Sequence, residues 1–442
     1  MAKINIPVKS EKIITYEGAT AQRITIEAQL YRAVCSCLLW EDTFYEDGQS
    51  IVARIAEYIP KVAKEKVAAL AIKARKEFKL RHIPLFIVRE MARHKSHRGL
   101  VAETLATVIQ RPDELTEFLA IYWKDGRTAL SAQVKKGLAS AFRKFDEYQL
   151  AKYNRADKIK LRDVLFLCHA KPKDEAQDAL WKRLIDNKLK TPDTWEVSLS
   201  AAGVKTKEEK RDCWIRLLGE GKLGAMALLR NLRNMQESGV KKDIIEKALI
   251  DINPRRVLPF RFITAAKYVP TIESAIEVAM LKCLKEYPKL NGKTTLVIDS
   301  SYSMVGSKIS KRSEIDRFDA ACALAILARE MCEDVEIIAF SNDAQVVPAR
   351  HGFALRDAID KAVDHCGTYT DLAINVANKN GYDRIIVFTD EQSYTSIPDP
   401  LTQNAYFVNV AVYKNGIGYG KWIHINGFSE SIFDYIRESE KF

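Results

Sequence analysis

A chain of 442 residues, 47% hydrophobic and 29% charged, has the length for two or three domains and the composition of a globular protein, which excludes a disordered or fibrous one. Its longest apolar runs are too short to cross a bilayer, and its start, Met1 to Asn5, lacks the apolar core of a secretory leader, so a cytoplasmic location without membrane contact is expected. The net charge of +11 is unevenly placed: residues 1–289 carry 54 Lys and Arg against 37 Asp and Glu, whereas residues 290–442 carry 15 against 21.

That asymmetry speaks about partners rather than fold, and a basic front part calls for a polyanion such as nucleic acid. The eight cysteines form no C-x-x-C pair and no zinc-like spacing with histidine, which fits a reducing compartment.

From about Ile24 to Lys285 the pattern is helical. Ile51, Ile55, Tyr58 and Val62 follow amphipathic spacing, as do Val67, Leu70, Ala74 and Phe78, and Leu115, Leu119 and Tyr122. Breaks recur at Pro60, Pro84, Arg111 to Asp113, Asp125-Gly126, Lys171-Pro172, Thr191-Pro192 and Gly239. Helices of this length with short connections predict a degenerate α-solenoid of helix pairs.

Two stretches of that region are basic. Lys61 to Arg98 holds 12 Lys and Arg against 3 Glu, with His82, His94 and His97 among them. Lys79, Arg81, His82, Arg93, His94 and Arg98 are candidate phosphate ligands, although cations at helix C-termini also have a dipolar reason to be there. Lys152, Tyr153, Asn154 and Arg155, then Lys158, Lys160, Arg162 and His169, interleave rings with cations, which suits RNA.

After Tyr287-Pro288 the pattern changes to short apolar strands alternating with helices. The strands are expected near Leu296–Ile298, Val335–Phe340, Arg384–Phe388 and Ala405–Tyr413. Such alternation predicts a parallel, doubly wound sheet with ligands at the carboxyl ends of its strands. The run Asp299-Ser300-Ser301-Tyr302-Ser303 leaves the first strand as D-x-S-x-S, Thr368 precedes a helix, and Asp390 ends a later strand. Carboxylates and hydroxyls brought together suit a hard divalent cation. The set Asp299, Ser301, Ser303, Thr368 and Asp390 resembles the metal-ion-dependent adhesion site of von Willebrand factor A domains, which implies Mg²⁺ or a similar ion. No catalytic motif is present: there is no G-x-S-x-G, Walker loop or H-E-x-x-H, so the chain is not expected to be an enzyme.

Taken together, the two parts resemble the Ro autoantigen, or TROVE-domain, family. The phrases that carry this are Tyr16 to Ala19, Cys37 to Tyr45, Lys79 to Pro84, Arg162 to Leu165 with His169 and Lys171-Pro172, and Leu228 to Met235. The resemblance implies a superhelical ring of HEAT-like repeats over residues 1–288, joined to a doubly wound von Willebrand factor A domain over 289–442. It implies that Y-like non-coding RNA binds the outer face near Lys152, Arg155 and His169. It also implies that single-stranded 3′ ends of misfolded RNA enter the ring, that an exoribonuclease can be tethered through the RNA, and that the protein is a monomer. The expected function is that of a non-enzymatic RNA scaffold or quality-control protein. The rival is a metal-dependent protein-binding adhesion module whose basic helices are only a solvated scaffold.

Overall fold

The computed structural model describes residues 25–36, 48–78, 80–154, 158–200, 206–253, 257, 260–285, 287–308, 315–391, 393–410, 421–426 and 431–440. The chain divides into two compact units, one made of Ile26–Trp40 with Glu46–Asn253, the other including Pro254–Phe442. Among the described residues no helix is long and apolar enough to cross a membrane.

In the first unit the amphipathic spacing becomes packing. The Val101–Val108 helix packs on Lys64–Lys76 before it and on Ala132–Phe142 after it, and the last of these packs on Leu161–Cys168. The helices between, His82–Arg93 and Asp113–Tyr122, pack on each other. Alternate helices therefore stack in two layers, the arrangement by which a repeat buries an apolar face that it cannot bury alone. One core runs through both layers from Leu30 to Leu184. Gly137 marks the closest crossing: a Cβ there would lie 2.9 Å from the Ala102 carbonyl oxygen and 2.9 Å from the Leu105 Cβ.

The second unit is built on a six-stranded sheet: β1 (Leu290–Asp299), β2 (Cys332–Phe340), β3 (Ala344–Val347), β4 (Arg384–Thr389), β5 (Ala405–Asn409) and β6 (Ile423–Asn426). Their spatial order is β3-β2-β1-β4-β5-β6. Every residue of β4 and β5 is buried, as in parallel strands covered on both faces. The helix Arg317–Met331 returns the chain from β1 to β2 and packs on both.

The sheet is mixed rather than wholly parallel: β3 pairs antiparallel with β2 at the edge. Only Ser341 to Asp343 connect them, and a parallel return needs a crossover of a dozen or more residues. Edge strand β3 and strand β6 were not expected from the pattern; both are four residues long. The Phe260–Tyr268 and Glu273–Leu284 helices group with the sheet. Lys267 pairs with Asp319 on the Arg317–Met331 helix. The Glu277 carboxylate accepts the Phe353 N–H at 2.5 Å, at the start of the Phe353–Asp360 helix. That helix begins after Gly352, whose φ of +58° and lack of space for a Cβ against Glu277 both demand glycine.

Candidate functional site

The sheet changes winding direction between β1 and β4, since β2 lies on one side of β1 and β4 on the other. Ligand crevices open at the carboxyl ends of strands where this happens. Asp299 is the last residue of β1, and Asp390 follows the last residue of β4.

The three expected loops meet there and are tied by backbone hydrogen bonds. Tyr302 donates its N–H to the Cys366 oxygen at 2.9 Å, and Tyr394 donates to the Thr368 oxygen at 3.0 Å. Ser300 donates to the Phe340 oxygen at 2.9 Å and Tyr369 to the Ser341 oxygen at 3.0 Å, which anchors two of these loops to the end of β2. The Asp299 carboxylate accepts the Ser301 N–H at 2.9 Å and the Thr389 hydroxyl at 2.5 Å. The Ser301 and Ser303 hydroxyl oxygens are 3.2 Å apart. Asp390 accepts from the Arg317 guanidinium at 3.0 Å. Asp299, Ser301, Thr368 and Asp390 are all buried, and Ser303 is half-buried.

The electrostatics of the cluster are unbalanced. Burial first, and then the negative charge of Asp390, push the Asp299 carboxyl up to about 7, despite the hydrogen bonds from Ser301 and Thr389. Among the described residues no group of three or more His, Cys, Asp and Glu side chains is placed to hold a metal ion; this cluster is of hydroxyls and two carboxylates. Thr389 and Arg317 belong to it and were missed in the sequence. Thr389 stands one residue from an expected ligand, whereas nothing local marks Arg317. In the loops that carry the cluster, Tyr302 and Tyr394 are 78% and 75% exposed.

The basic helices look different in three dimensions. Arg81 pairs with Asp113 at 2.5 Å and with Glu117, and His82 faces Glu117 at 3.4 Å. Arg93 pairs with Asp125 at 2.9 Å, next to the bond between Arg89 and the same carboxylate. The Arg98 Nε donates to the Ala92 oxygen at 3.1 Å, near the end of the His82–Arg93 helix. Arg75 is buried against Glu114. His97 is a core histidine between the Val62 oxygen and the Ser96 hydroxyl, and burial pushes its pKa down. His94 packs edge-on to it, 6.3 Å between ring centroids. Lys79 lies outside the described residues.

In the second basic stretch cations are gathered round a ring. The Arg111 guanidinium lies 4.7 Å from the Tyr153 ring centroid and the Lys152 ammonium 5.9 Å from it. His169 caps the Leu161–Cys168 helix in the left-handed conformation, φ 51°, and is exposed. One turn back on that helix Phe166 is 57% exposed, a ring beside His169 that apolar periodicity alone would have assigned to the core. Arg155 lies outside the described residues, as do the phrases Tyr16 to Ala19 and Cys37 to Tyr45.

Comparison with known proteins places this architecture. Residues 181–366 match the TROVE domain family. A 95-residue stretch is 34% identical to telomerase protein component 1 of Mus musculus and 33% identical to that of Rattus norvegicus. The match takes in 20% of this chain and only 3% of each relative's own length. The crystal structure of the Deinococcus radiodurans Ro (Rsr) protein superposes with a TM-score of 0.66 at 18% identity, over 93% of this chain and 98% of that one, so the two share a fold. The chain therefore shares the fold of a Ro protein, and its residues 181–366 match the TROVE domain family.

Proposed function

We propose that this protein is a non-enzymatic RNA scaffold. Its helical unit would be the HEAT-like, ring-forming part that binds small non-coding RNA of the Y type and single-stranded ends of misfolded RNA. The match of residues 181–366 to the TROVE domain family, within a chain that has the fold of a Ro protein, is the observation that carries the reading. The face for structured RNA is formed by Lys152, Tyr153, Arg111, His169 and Phe166. Lys152 over the Tyr153 ring can neutralise phosphate, and the exposed Phe166 and His169 can stack on unpaired bases. Arg81, His82, Arg89 and Arg93 already have acidic partners, so they hold the structure together and contribute less to capture. On this reading the protein acts as a cytoplasmic monomer that presents RNA to an exoribonuclease.

The sheet unit is read as a von Willebrand factor A domain. The donor set fits a hard divalent cation such as Mg²⁺: every donor atom of the five residues is an oxygen, and the buried Asp299 carboxylate is held by neutral donors beside the negative Asp390. Asp299, Ser301 and Ser303 would hold the ion directly, with Thr368 and Asp390 direct or through water. A bound ion supplies the positive charge that the cluster lacks and a coordination position for a partner's carboxylate. Chain residues keep that position accessible: Tyr302 and Tyr394 are exposed in the loops that carry the cluster, and the three loops are fixed by main-chain bonds.

The RNA reading is tested with Lys152→Ala combined with His169→Ala. The pair is expected to weaken binding of structured RNA whatever its sequence, and to lower the slope of log affinity against log salt by about one unit for each phosphate that is no longer neutralised. Unchanged affinity and slope would remove RNA from this face.

A further inference from the structure

Arg317 stands where ordinary helix chemistry does not want it. It is the first residue of the Arg317–Met331 helix, directly after the capping Asp316. A cation at a helix N-terminus opposes the helix dipole. Its side chain is also only 7% exposed, so the guanidinium has given up most of its water. Two unfavourable terms at one residue require a compensating interaction, and the structure shows it. One guanidinium nitrogen, Nη1, donates both to the Asp390 carboxylate at 3.0 Å and to the Ser303 carbonyl oxygen at 3.1 Å. The Arg317 backbone N–H meanwhile donates to the Ser307 oxygen at 3.0 Å.

Those hydrogen bonds join the loop after β1 to the loop after β4. These are the same two loops that a divalent ion would join, because one carries Asp299, Ser301 and Ser303 and the other begins with Asp390. We infer that Arg317 is the resident counter-cation of the strand-end site: it holds the two loops together when no divalent ion is bound, and it competes with that ion for Asp390.

The inference rests on the divalent-ion reading above and adds a regulatory property to it. A site with its own built-in cation does not need the metal in order to fold. The ion is then exchangeable, taken up and released with the partner that completes its shell, and is not a permanent structural metal. Coulomb's law gives the sign of the effect. Removing the guanidinium takes positive charge away from the buried Asp390 carboxylate, which weakens the metal-free protein and strengthens its hold on a divalent ion. An arginine that served only to pack the helix would weaken the protein on removal without strengthening ion binding.

The test uses the full-length chain and Mn²⁺ as the probe. Mn²⁺ affinity is measured by titration calorimetry or by loss of the free-ion magnetic resonance signal, and the melting temperature is measured in chelator and in Mn²⁺. Arg317→Met is expected to lower the melting temperature in chelator, to recover it in Mn²⁺, and to bind Mn²⁺ about tenfold more tightly than wild type. Arg317→Gln keeps a donor for the Ser303 oxygen without the charge; it should show the same tightening with a smaller loss of stability. Wild type should melt within a few degrees of the same temperature in chelator and in Mn²⁺. If wild type binds Mn²⁺ and both variants, still folded by circular dichroism, bind it no more tightly, the role given to Arg317 is overturned while the metal site stands. If neither wild type nor variants bind Mn²⁺, both are overturned.

Discussion

The two units treat charge in opposite ways. In the helical unit cations and carboxylates meet in balanced sets: Arg75 with Glu114, Arg81 and Arg111 with Asp113 and Glu117, Arg89 and Arg93 with Glu90 and Asp125. At the carboxyl edge of the sheet, Asp390 meets the Arg317 guanidinium, whereas the buried Asp299 carboxylate is held by the neutral Ser301 N–H and Thr389 hydroxyl. Balanced charge is architecture, because each set is neutralised from within and asks for nothing from outside. Unbalanced buried charge is a binding site, since the deficit must be met by something that comes and goes. The proposed RNA face is a third case: Lys152 lies over the Tyr153 ring beside Arg111, whose guanidinium also pairs with Asp113.

The contrast is broken most sharply by removing one carboxylate from each kind of cluster. Asp299→Ala should abolish Mn²⁺ binding while leaving the helical circular dichroism of the chain intact. Binding as tight as that of wild type would show that the unbalanced cluster is not the ion site. Glu114→Gln should do the reverse. Glu114 is fully buried and also accepts the backbone N–H groups of Gln110 and Arg111, at 2.7 and 3.1 Å. Burial pushes its carboxyl up and the Arg75 guanidinium down, so desolvation outweighs their attraction in both partners. Such a pair adds little net stability, but breaking it leaves a buried charge alone, at a cost of about 3–5 kcal/mol. Urea unfolding should report that loss with Mn²⁺ affinity unchanged. A loss well below about 1 kcal/mol would mean that the Arg75 side chain finds water.

A smaller effect sharpens the same point within the sheet unit, where Asp319 is paired with two cations. Burial works against ionisation of Asp319, yet Lys267 and Arg356 hold its carboxyl below the ordinary range. A depressed folded-state pKa contributes stability that is present above the unfolded value, about 4 for an aspartate, and is lost as pH falls through the folded value. Wild type and Asp319→Asn should therefore differ in stability at pH 6 and converge as the pH falls below about 4. A constant difference would mean that Asp319 acts through packing alone.

Much of this was legible in the sequence where chemistry and chain order coincide. D-x-S-x-S after Leu296 to Ile298 marked a strand end because β-branched and apolar residues stop there and small polar ones begin; β1 does end at Asp299. Phe318 to Met331 read as a helix, and the helix is Arg317–Met331. What escaped was set by pairs far apart in the chain. Arg317 meets Asp390 across 73 positions and Arg75 meets Glu114 across 39, and no local pattern distinguishes a cation that will be neutralised from one that will stay free. The density of Lys and Arg between Lys61 and Arg98 therefore overstated the charge on offer to a polyanion. Strand β3 escaped for another reason: four residues beside a three-residue turn give too short an alternation to read.

The central claim, that the basic helices capture RNA while the strand-end cluster separately takes a divalent ion, is tested most directly by one titration. Binding of a structured small RNA to the whole chain is measured across a series of salt concentrations, with chelator and with Mn²⁺. The account predicts affinity that falls steeply and linearly in log salt and that coincides in chelator and Mn²⁺. Affinity that hardly changes with salt and disappears in chelator would contradict it.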